Sequence, residues 1–179
     1  MNTRRQYIAL LFALLFIAIR VQAQGQVHIP TPPWEVYDGG DFQLAYPDMW
    51  EAVDVEDAGM RLYVSDGAGK VNIIVRSSTS ALEIFDSDSL SLLAETLAEE
   101  YQTSMKTAQV LASDYHTLPA LETYRLILYQ PGLAEFAIYH YIYMAIVDRR
   151  LYSLNITLEG KFHDDNPTLA ERIATTWRI

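Results

Sequence analysis

The stretch AIYHYIYMAIVDRRLYSLNITL, residues 137–158, decides how this chain folds. Two runs of alternating residues flank Asp148 and Arg149, a pattern that predicts a β-hairpin. The length of the turn sets the register of the two strands. A two-residue turn pairs Val147 with Arg150, whereas a three-residue turn moves every side chain of one strand to the opposite face. Local turn chemistry favours the longer turn, because a two-residue type I′ turn needs positive φ at both positions and strains an arginine.

The side chains of the first strand separate into two faces, since alternate residues point in opposite directions. With the two-residue turn, the tyrosines share a face with aliphatic residues of the second strand: Tyr139, Tyr141 and Tyr143 with Leu158, Ile156 and Leu154. We predict that this face is an aromatic core between the sheet and a helix. His140 then lies beside Thr157 on the other, more polar face. We interpret His140 as half-buried and hydrogen-bonded, with a ligand site as the alternative.

Turn residues divide the rest of the chain into short elements. Alternating segments predict strands on both sides of a central helix: 42–46, 53–55, 60–64 and 71–75 before it, then 108–115, 120–130, 135–147 and 151–158. The helix is predicted over 88–106 from leucines and alanines at helical spacing. Asn166-Pro167 predicts the start of a second helix, because proline is favoured in a first turn. This order predicts an α+β domain built on one antiparallel sheet.

The N-terminal residues have the three-part layout of a secretory signal peptide. A basic start, an apolar run and small residues up to Ala23 predict a cleaved signal over residues 1–23. An uncleaved N-terminal anchor is the alternative. Residues 24–39 begin polar and proline-rich, which predicts an extended tether before a single domain over 40–179. The chain has no cysteine, so neither a disulfide nor the acyl anchor of a bacterial lipoprotein is expected.

The charge of the chain excludes one class of partner. Three of its 13 basic residues and none of its 23 acidic residues lie in the predicted signal, which leaves 10 against 23, a formal charge of −13. Such a surface repels nucleic acid and anionic lipid head groups. We therefore expect no nucleic-acid partner. From the predicted signal peptide we expect an exported bacterial protein, periplasmic or extracellular, with no membrane span after cleavage. We also expect it to be monomeric.

The sequence contains no catalytic constellation at recognisable spacing. No G-x-S-x-G nucleophile motif occurs, and the four histidines lack metal-ligand spacing. Residues 163–165, His-Asp-Asp, group possible ligands, but we interpret them as a solvated loop before a helix. The remaining candidates for a ligand or catalytic site are distant residues: Asp54, His116 and His140. We expect no metal and no cofactor.

Three segments carry a family resemblance. FQLAYPDMW, residues 42–50, is similar to the F-x-x-x-Y-P-x-x-W opening of the PsbP-like and DcrB-like proteins. MAIVDRRLYSLNI, residues 144–156, resembles their hairpin, with Arg149 in place of the usual glycine, and ATTWRI resembles the end of their closing helix. The matching positions are mainly packing and turn residues: Phe42, Tyr46, Pro47, Trp50, Asp148, Tyr152 and Trp177.

The resemblance implies an α/β/α sandwich, an antiparallel sheet flanked by helices on both faces. It also favours the two-residue turn at Asp148-Arg149, which we adopt. PsbP-like proteins act mostly as binding or assembly factors without a shared catalytic residue set. We therefore predict a secreted, non-enzymatic accessory or binding protein that acts on an unidentified envelope or secreted protein. The alternatives are a small-molecule carrier with a cavity beneath the tyrosines, and a hydrolase or metal-dependent enzyme.

Overall fold

The structure, a computed structural model, describes residues 33–53, 55, 59–78, 87–132 and 136–179. The predicted signal peptide, most of the predicted tether and the candidate Asp54 lie outside the described residues. The elements are β1 Trp34–Asp38, β2 Gln43–Pro47, β3 Glu51–Val53, β4 Met60–Ser65, β5 Val71–Ser78, α1 Ser87–Ser104, β6 Gln109–Leu118, β7 Leu121–Gln130, β8 Ile138–Val147, β9 Arg150–Glu159, α2 Gly160–Asp165 and α3 Leu169–Ala174.

The strands form two antiparallel sheets. Seven strands make the main sheet in the order β3-β4-β5-β9-β8-β7-β6, and β1 pairs with β2 in a separate two-stranded sheet. A mostly antiparallel β-structure with a few helices is therefore confirmed. The prediction of one sheet is wrong, because the alternating segment at 42–46 finds its partner in a strand that the sequence analysis did not predict.

The β8–β9 hairpin has the two-residue turn. Val147 pairs with Arg150, and the register continues through Tyr141 with Ile156 to Tyr139 with Leu158. Asp148 and Arg149 have φ angles of 48° and 62°, the left-handed conformation that a type I′ turn requires. The adopted register is thus confirmed. The aliphatic and aromatic pairing across the hairpin overrides the unfavourable chemistry of one turn residue.

Arg149 offers a first test of this turn. Replacing it with glycine should raise the free energy of unfolding by about 1 kcal/mol, because the cost of a non-glycine residue at positive φ exceeds the extra entropy that glycine loses on folding. Thermal unfolding should show a rise of about 2–4 °C in Tm. Asp148→Gly is the matched control and should gain less, since aspartate tolerates this conformation better than arginine. A lower Tm for Arg149→Gly would contradict the strain.

Each face of the main sheet is covered by its own hydrophobic cluster. On one face, which we call the α1 face, helix α1 packs on β7 and β8: Leu90, Ala94, Leu97 and Tyr101 meet Leu126, Leu128, Ile142 and Met144. On the other face, which we call the α3 face, residues of α2, α3 and the C-terminal segment pack on β8 and β9: Phe162, Leu169, Ile173 and Trp177 meet Tyr141, Tyr143, Leu154 and Ile156. The tyrosine face is therefore a sheet–helix core, as its register implied.

The folded body begins earlier than predicted. Residues 34–38, assigned to the tether, form β1, and Trp34 pairs with Pro47 at one end of the strand. The guanidinium of Arg172 lies 5.1 Å from the centre of the Trp34 ring, a cation–π contact that fixes the start of β1 against α3. The predicted tether boundary at residue 39 is wrong. The proline-rich stretch ends at residue 33, and the residues that follow it pair with β2.

The residues of the family resemblance occupy structural positions. Five are buried to 5% exposure or less: Phe42, Tyr46, Trp50, Tyr152 and Trp177. Pro47 ends β2 and Asp148 lies in the hairpin turn. Gln43 and Arg178 exchange two backbone hydrogen bonds of 2.9 and 3.0 Å, so the C-terminal residues close the core beside β2.

Candidate functional site

Four aromatic side chains meet on the α3 face, and we call them the tyrosine–histidine cluster: Tyr129, Tyr139, Tyr141 and His163. Tyr129 and Tyr139 are cross-strand partners in β7 and β8, and Tyr141 lies two residues further along β8. His163 comes from α2, a single short helix that follows β9 directly. The end of β9 therefore folds back over β8 and places an imidazole on the tyrosines.

The rings of this cluster are in direct contact. The His163 and Tyr139 ring centres lie 3.7 Å apart with planes at 15°, a stacked arrangement, and the Tyr129 and Tyr139 ring centres lie 4.9 Å apart. The Tyr141 hydroxyl and His163 Nε2 are 2.8 Å apart, a hydrogen bond. His163 Nδ1 is 3.3 Å from a carboxylate oxygen of Asp164.

The order hydroxyl, imidazole, carboxylate has the logic of a nucleophile activated by a base that a third group orients. The environment opposes that use. Tyr141 is 7% exposed, and burial raises the pKa of its phenol, which disfavours the phenolate that would attack a substrate. The side chain of Asp164 is 73% exposed, so its hold on the imidazole is weak. We conclude that these groups join α2 to the sheet.

Beside the cluster lies an ion-pair network of Asp114, Arg125 and Glu171. Arg125 donates two hydrogen bonds to the Asp114 carboxylate, of 3.0 and 2.9 Å, and lies 3.5 Å from a carboxylate oxygen of Glu171. The hydrogen bond from Arg125 lowers the pKa of Asp114, and the same bond raises the pKa of Arg125. The network ties β6 and β7 to α3 across the surface of the α3 face.

Tyr143 lies under this network with its hydroxyl buried. The residue has no exposed surface, its hydroxyl has no hydrogen-bond partner among the described residues, and burial raises the pKa of the phenol. A buried hydroxyl without a partner reduces stability, because the group has lost its bonds to water.

We therefore expect Tyr143→Phe to leave the free energy of unfolding unchanged or to raise it by up to about 1 kcal/mol. Urea unfolding of the two proteins measures the difference, with equal m-values as the check that the unfolding reaction is the same. A loss of more than about 1 kcal/mol would show that the hydroxyl has a partner in the folded protein.

His140 lies on the α1 face, and the sequence analysis misjudged that environment. It is 8% exposed, with Nδ1 3.2 Å from the Thr157 hydroxyl and its ring 5.2 Å from the Tyr101 ring in an edge-on contact. Nε2 has no hydrogen-bond partner in the part of the chain that the structure describes. Burial lowers the pKa of His140 to about 4. The expected hydrogen bond beside Thr157 is present, but His140 is buried and not half-buried, because α1 covers that face.

The candidate residues do not form one site. His116 is on the α3 face, where its ring lies 5.9 Å from the ring of Tyr143, whereas His140 is on the α1 face. A catalytic site that joins these two histidines is therefore wrong. Within the described ranges, no group of three or more His, Cys, Asp or Glu residues could hold a metal ion, and no helix is long and apolar enough to cross a membrane.

The residue that the sequence analysis underrated is His163. Its His-Asp-Asp segment was interpreted as a solvated loop, but it is part of α2 and its imidazole packs on two tyrosines. A signal was available in Phe162, an apolar residue next to His163 that could anchor a short helix. Six residues are too few to show helical periodicity, so the pattern could not be recognised.

The architecture resembles that of a protein whose structure is known. The chain superimposes on the solution structure of cyanobacterial PsbP (CyanoP) from Synechocystis sp. PCC 6803 with a TM-score of 0.65 and 15% sequence identity, covering 88% of this chain and 98% of that chain. The fold is PsbP-like. No protein-family model matches the sequence, and no curated protein matches it. The PsbP-like fold was thus recognisable only from a few packing and turn residues.

Two further structures share less of the PsbP-like fold. The immunity protein TplEi of Pseudomonas aeruginosa, complexed with a peptide, matches at 12% identity over 88% of this chain and 58% of that chain, with a TM-score of 0.49. LpqN of Mycobacterium tuberculosis, involved in cell envelope biogenesis, matches at 11% identity over 82% of this chain and 83% of that chain, with a TM-score of 0.45.

Proposed function

We propose that this chain is a secreted, non-enzymatic accessory protein that binds another protein in the bacterial cell envelope. The observation that carries the proposal is the PsbP-like fold, which matches 98% of the CyanoP chain. The match spans 88% of this chain, and within that part the surface, the loops and the sheet edges remain for binding. Helices on both faces, as in the α/β/α sandwich that the resemblance implies, leave those parts exposed.

The chemistry of the described residues supports a binding role over a catalytic one. The hydroxyl and imidazole that come closest to a catalytic pair, Tyr141 and His163, are engaged with each other and packed against Tyr139. His116 and His140 lie on opposite faces of the sheet. A general base must come within hydrogen-bond distance of the proton that it removes, so these histidines cannot serve one reaction together.

The proposal includes an exported location. Residues 1–23 have the composition of a signal peptide, and the proline-rich segment that follows would separate the folded body from the site of cleavage. The acidic chain, with a formal net charge of −10 before cleavage, favours solubility and basic partners. We propose a monomer that holds no cofactor.

Co-precipitation from the native envelope fraction tests the accessory role. An antibody against the protein should recover the same partner from independent cultures after mild cross-linking, and a strain that lacks the gene is the matched control. Fractionation of the same cells should find the protein outside the cytoplasm. Repeated recovery of no partner, or a protein confined to the cytoplasm, would refute the proposal.

A further inference from the structure

The two edges of the seven-stranded sheet are built differently. At one edge, β3 is three residues long and begins with the exposed Glu51. At the other edge, β6 is ten residues long, and no strand in the described ranges pairs with its outer side. Natural proteins shorten an edge strand, or place lysine or proline in it, because its unpaired backbone groups attract other strands. Strand β6 has no lysine or proline, and Asp114 is its only charged residue. A bulge between Val110 and Ala112 interrupts its ladder at one end, so the regular part of the edge runs from Ala112 to Leu118.

On the α1 face, β6 presents apolar and small side chains. Val110, Ser113 and Tyr115 pair with Leu128, Leu126 and Tyr124 of β7, which places them on this face. Val110 is 37% exposed, Tyr115 is 56% exposed, and Leu111 at the adjacent bulge is 52% exposed. If a further strand paired with β6, its side chains on the α1 face would cover these exposed residues.

On the α3 face, β6 presents a negative charge. Asp114 pairs with Arg125, and the hydrogen bond between them lowers the pKa of the Asp114 carboxyl, so it is ionised at neutral pH. Its side chain is 48% exposed, and that of Glu171 in the same network is 52% exposed. Arg125 is shared by these two carboxylates, so the network keeps a net negative charge, and a basic side chain near Asp114 would be favoured.

The geometry of the β6–β7 hairpin shows which backbone groups of β6 point away from β7. Its turn has two residues, so the closing pair Leu118 and Leu121 is hydrogen-bonded within the hairpin. Hydrogen-bonded and non-hydrogen-bonded pairs alternate along an antiparallel ladder. Counting back from the turn, Ser113 and Thr117 direct their N–H and C=O groups away from β7, toward the open edge.

We propose that β6 is the docking edge for an extended segment of a partner protein in which apolar residues alternate with lysine or arginine. The alternation follows from the edge itself: apolar side chains beside Val110 and Tyr115 on one face, and basic side chains beside Asp114 on the other. Pairing through the backbone supplies affinity and the alternate side chains supply specificity. A second copy is the poorer occupant, because each chain carries a net charge of −10 and the two Asp114 residues would approach each other.

The inference rests on the proposed accessory function and identifies the β6 edge as the surface that binds the partner. The probe is a fluorescent eight-residue peptide of alternating valine and lysine, titrated into full-length protein and followed by anisotropy. We expect saturable binding by this peptide. The same peptide with glutamate in place of lysine, and one with N-methyl groups on alternate amides, should bind at least about tenfold more weakly.

Two variants locate the site. Ser113→Pro removes one outward N–H from an edge position where proline is tolerated, and circular dichroism verifies that the fold is kept. Val110→Lys keeps every backbone group and adds a like charge against the peptide. Each should weaken binding at least about tenfold. Hydrogen exchange should show protection of Ser113 and Thr117 by the peptide, and none in β3.

The outcomes separate this inference from the proposed function. Equal binding of the glutamate peptide, or unchanged binding by a folded Ser113→Pro protein, overturns the docking edge. A dimer that Ser113→Pro dissociates in sedimentation assigns the edge to a second copy and also overturns it. If Ser113→Pro still recovers the native partner, the accessory function stands and the docking edge is wrong. Peptide binding without any native partner leaves the edge supported and the accessory function refuted.

Discussion

Replacing Tyr141 with alanine should lower the free energy of unfolding by about 3 kcal/mol or more, the usual cost of truncating a buried aromatic side chain. Tyr141 is 7% exposed, belongs to the α3-face core and shares a hydrogen bond of 2.8 Å with His163. The truncation leaves a cavity and frees α2 from the sheet. Urea unfolding measures the loss, and a value under about 1 kcal/mol would show that the tyrosine face is not the core.

A conservative variant separates the ring from the hydroxyl. Tyr141→Phe keeps the packing and loses the bond to His163, so we expect a cost of about 1 kcal/mol. Combining it with His163→Ala in a double-mutant cycle isolates the hydrogen bond, because the two effects should then fall short of additivity. Tyr143→Phe, where no partner exists among the described residues, is the contrast. Equal effects at 141 and 143 would contradict the difference in their hydroxyl environments.

Acidification should destabilise the protein through His140 by about 3 kcal/mol, with the loss spread between pH 6.5 and about 4. In this window the unfolded chain binds a proton on the imidazole and the folded protein does not, since burial lowers the pKa of the folded group. Stability is therefore fully present above pH 6.5 and decreases as the pH falls toward 4. Urea unfolding at a series of pH values provides the measurement.

His140→Gln is the control for that series. Glutamine is uncharged throughout, so its protein should show the acid dependence of all other groups without that of His140. The difference between the two curves should shrink by about 3 kcal/mol from pH 7 to pH 4. Parallel curves would mean that His140 titrates as it does in water, and that α1 does not bury it.

The hairpin was predictable because its signal is local. Alternation over ten residues on each side of Asp148-Arg149 defines two strands, and the apolar pairs across them leave one register that buries both strands fully. The same reasoning gave α1, whose apolar residues recur over several turns. Both features depend on neighbours in sequence or on one tight turn.

The environments of the two histidines were not predictable in this way. His140 shares its face with Thr157, Asn155 and Ser153, and those polar residues suggested solvent, but α1 covers the sheet there and buries two of them. The placement of His163 depends on α2, which is too short to show helical periodicity. It also depends on the hydrogen bond to Tyr141 of β8, which lies 22 residues earlier in the chain. Tertiary packing decided both, and it overrides local patterns.

The contacts that join the chain's early and late segments also govern when folding can finish. The Thr176 hydroxyl accepts a hydrogen bond from the backbone N–H of Ala45, 131 residues away, and Trp177 fills the core with no exposed surface. Contacts between residues so distant in sequence must overcome a large loop-closure entropy and form slowly. During synthesis, the contacts of β2 with the C-terminal residues therefore cannot form until residues 176–178 have been made.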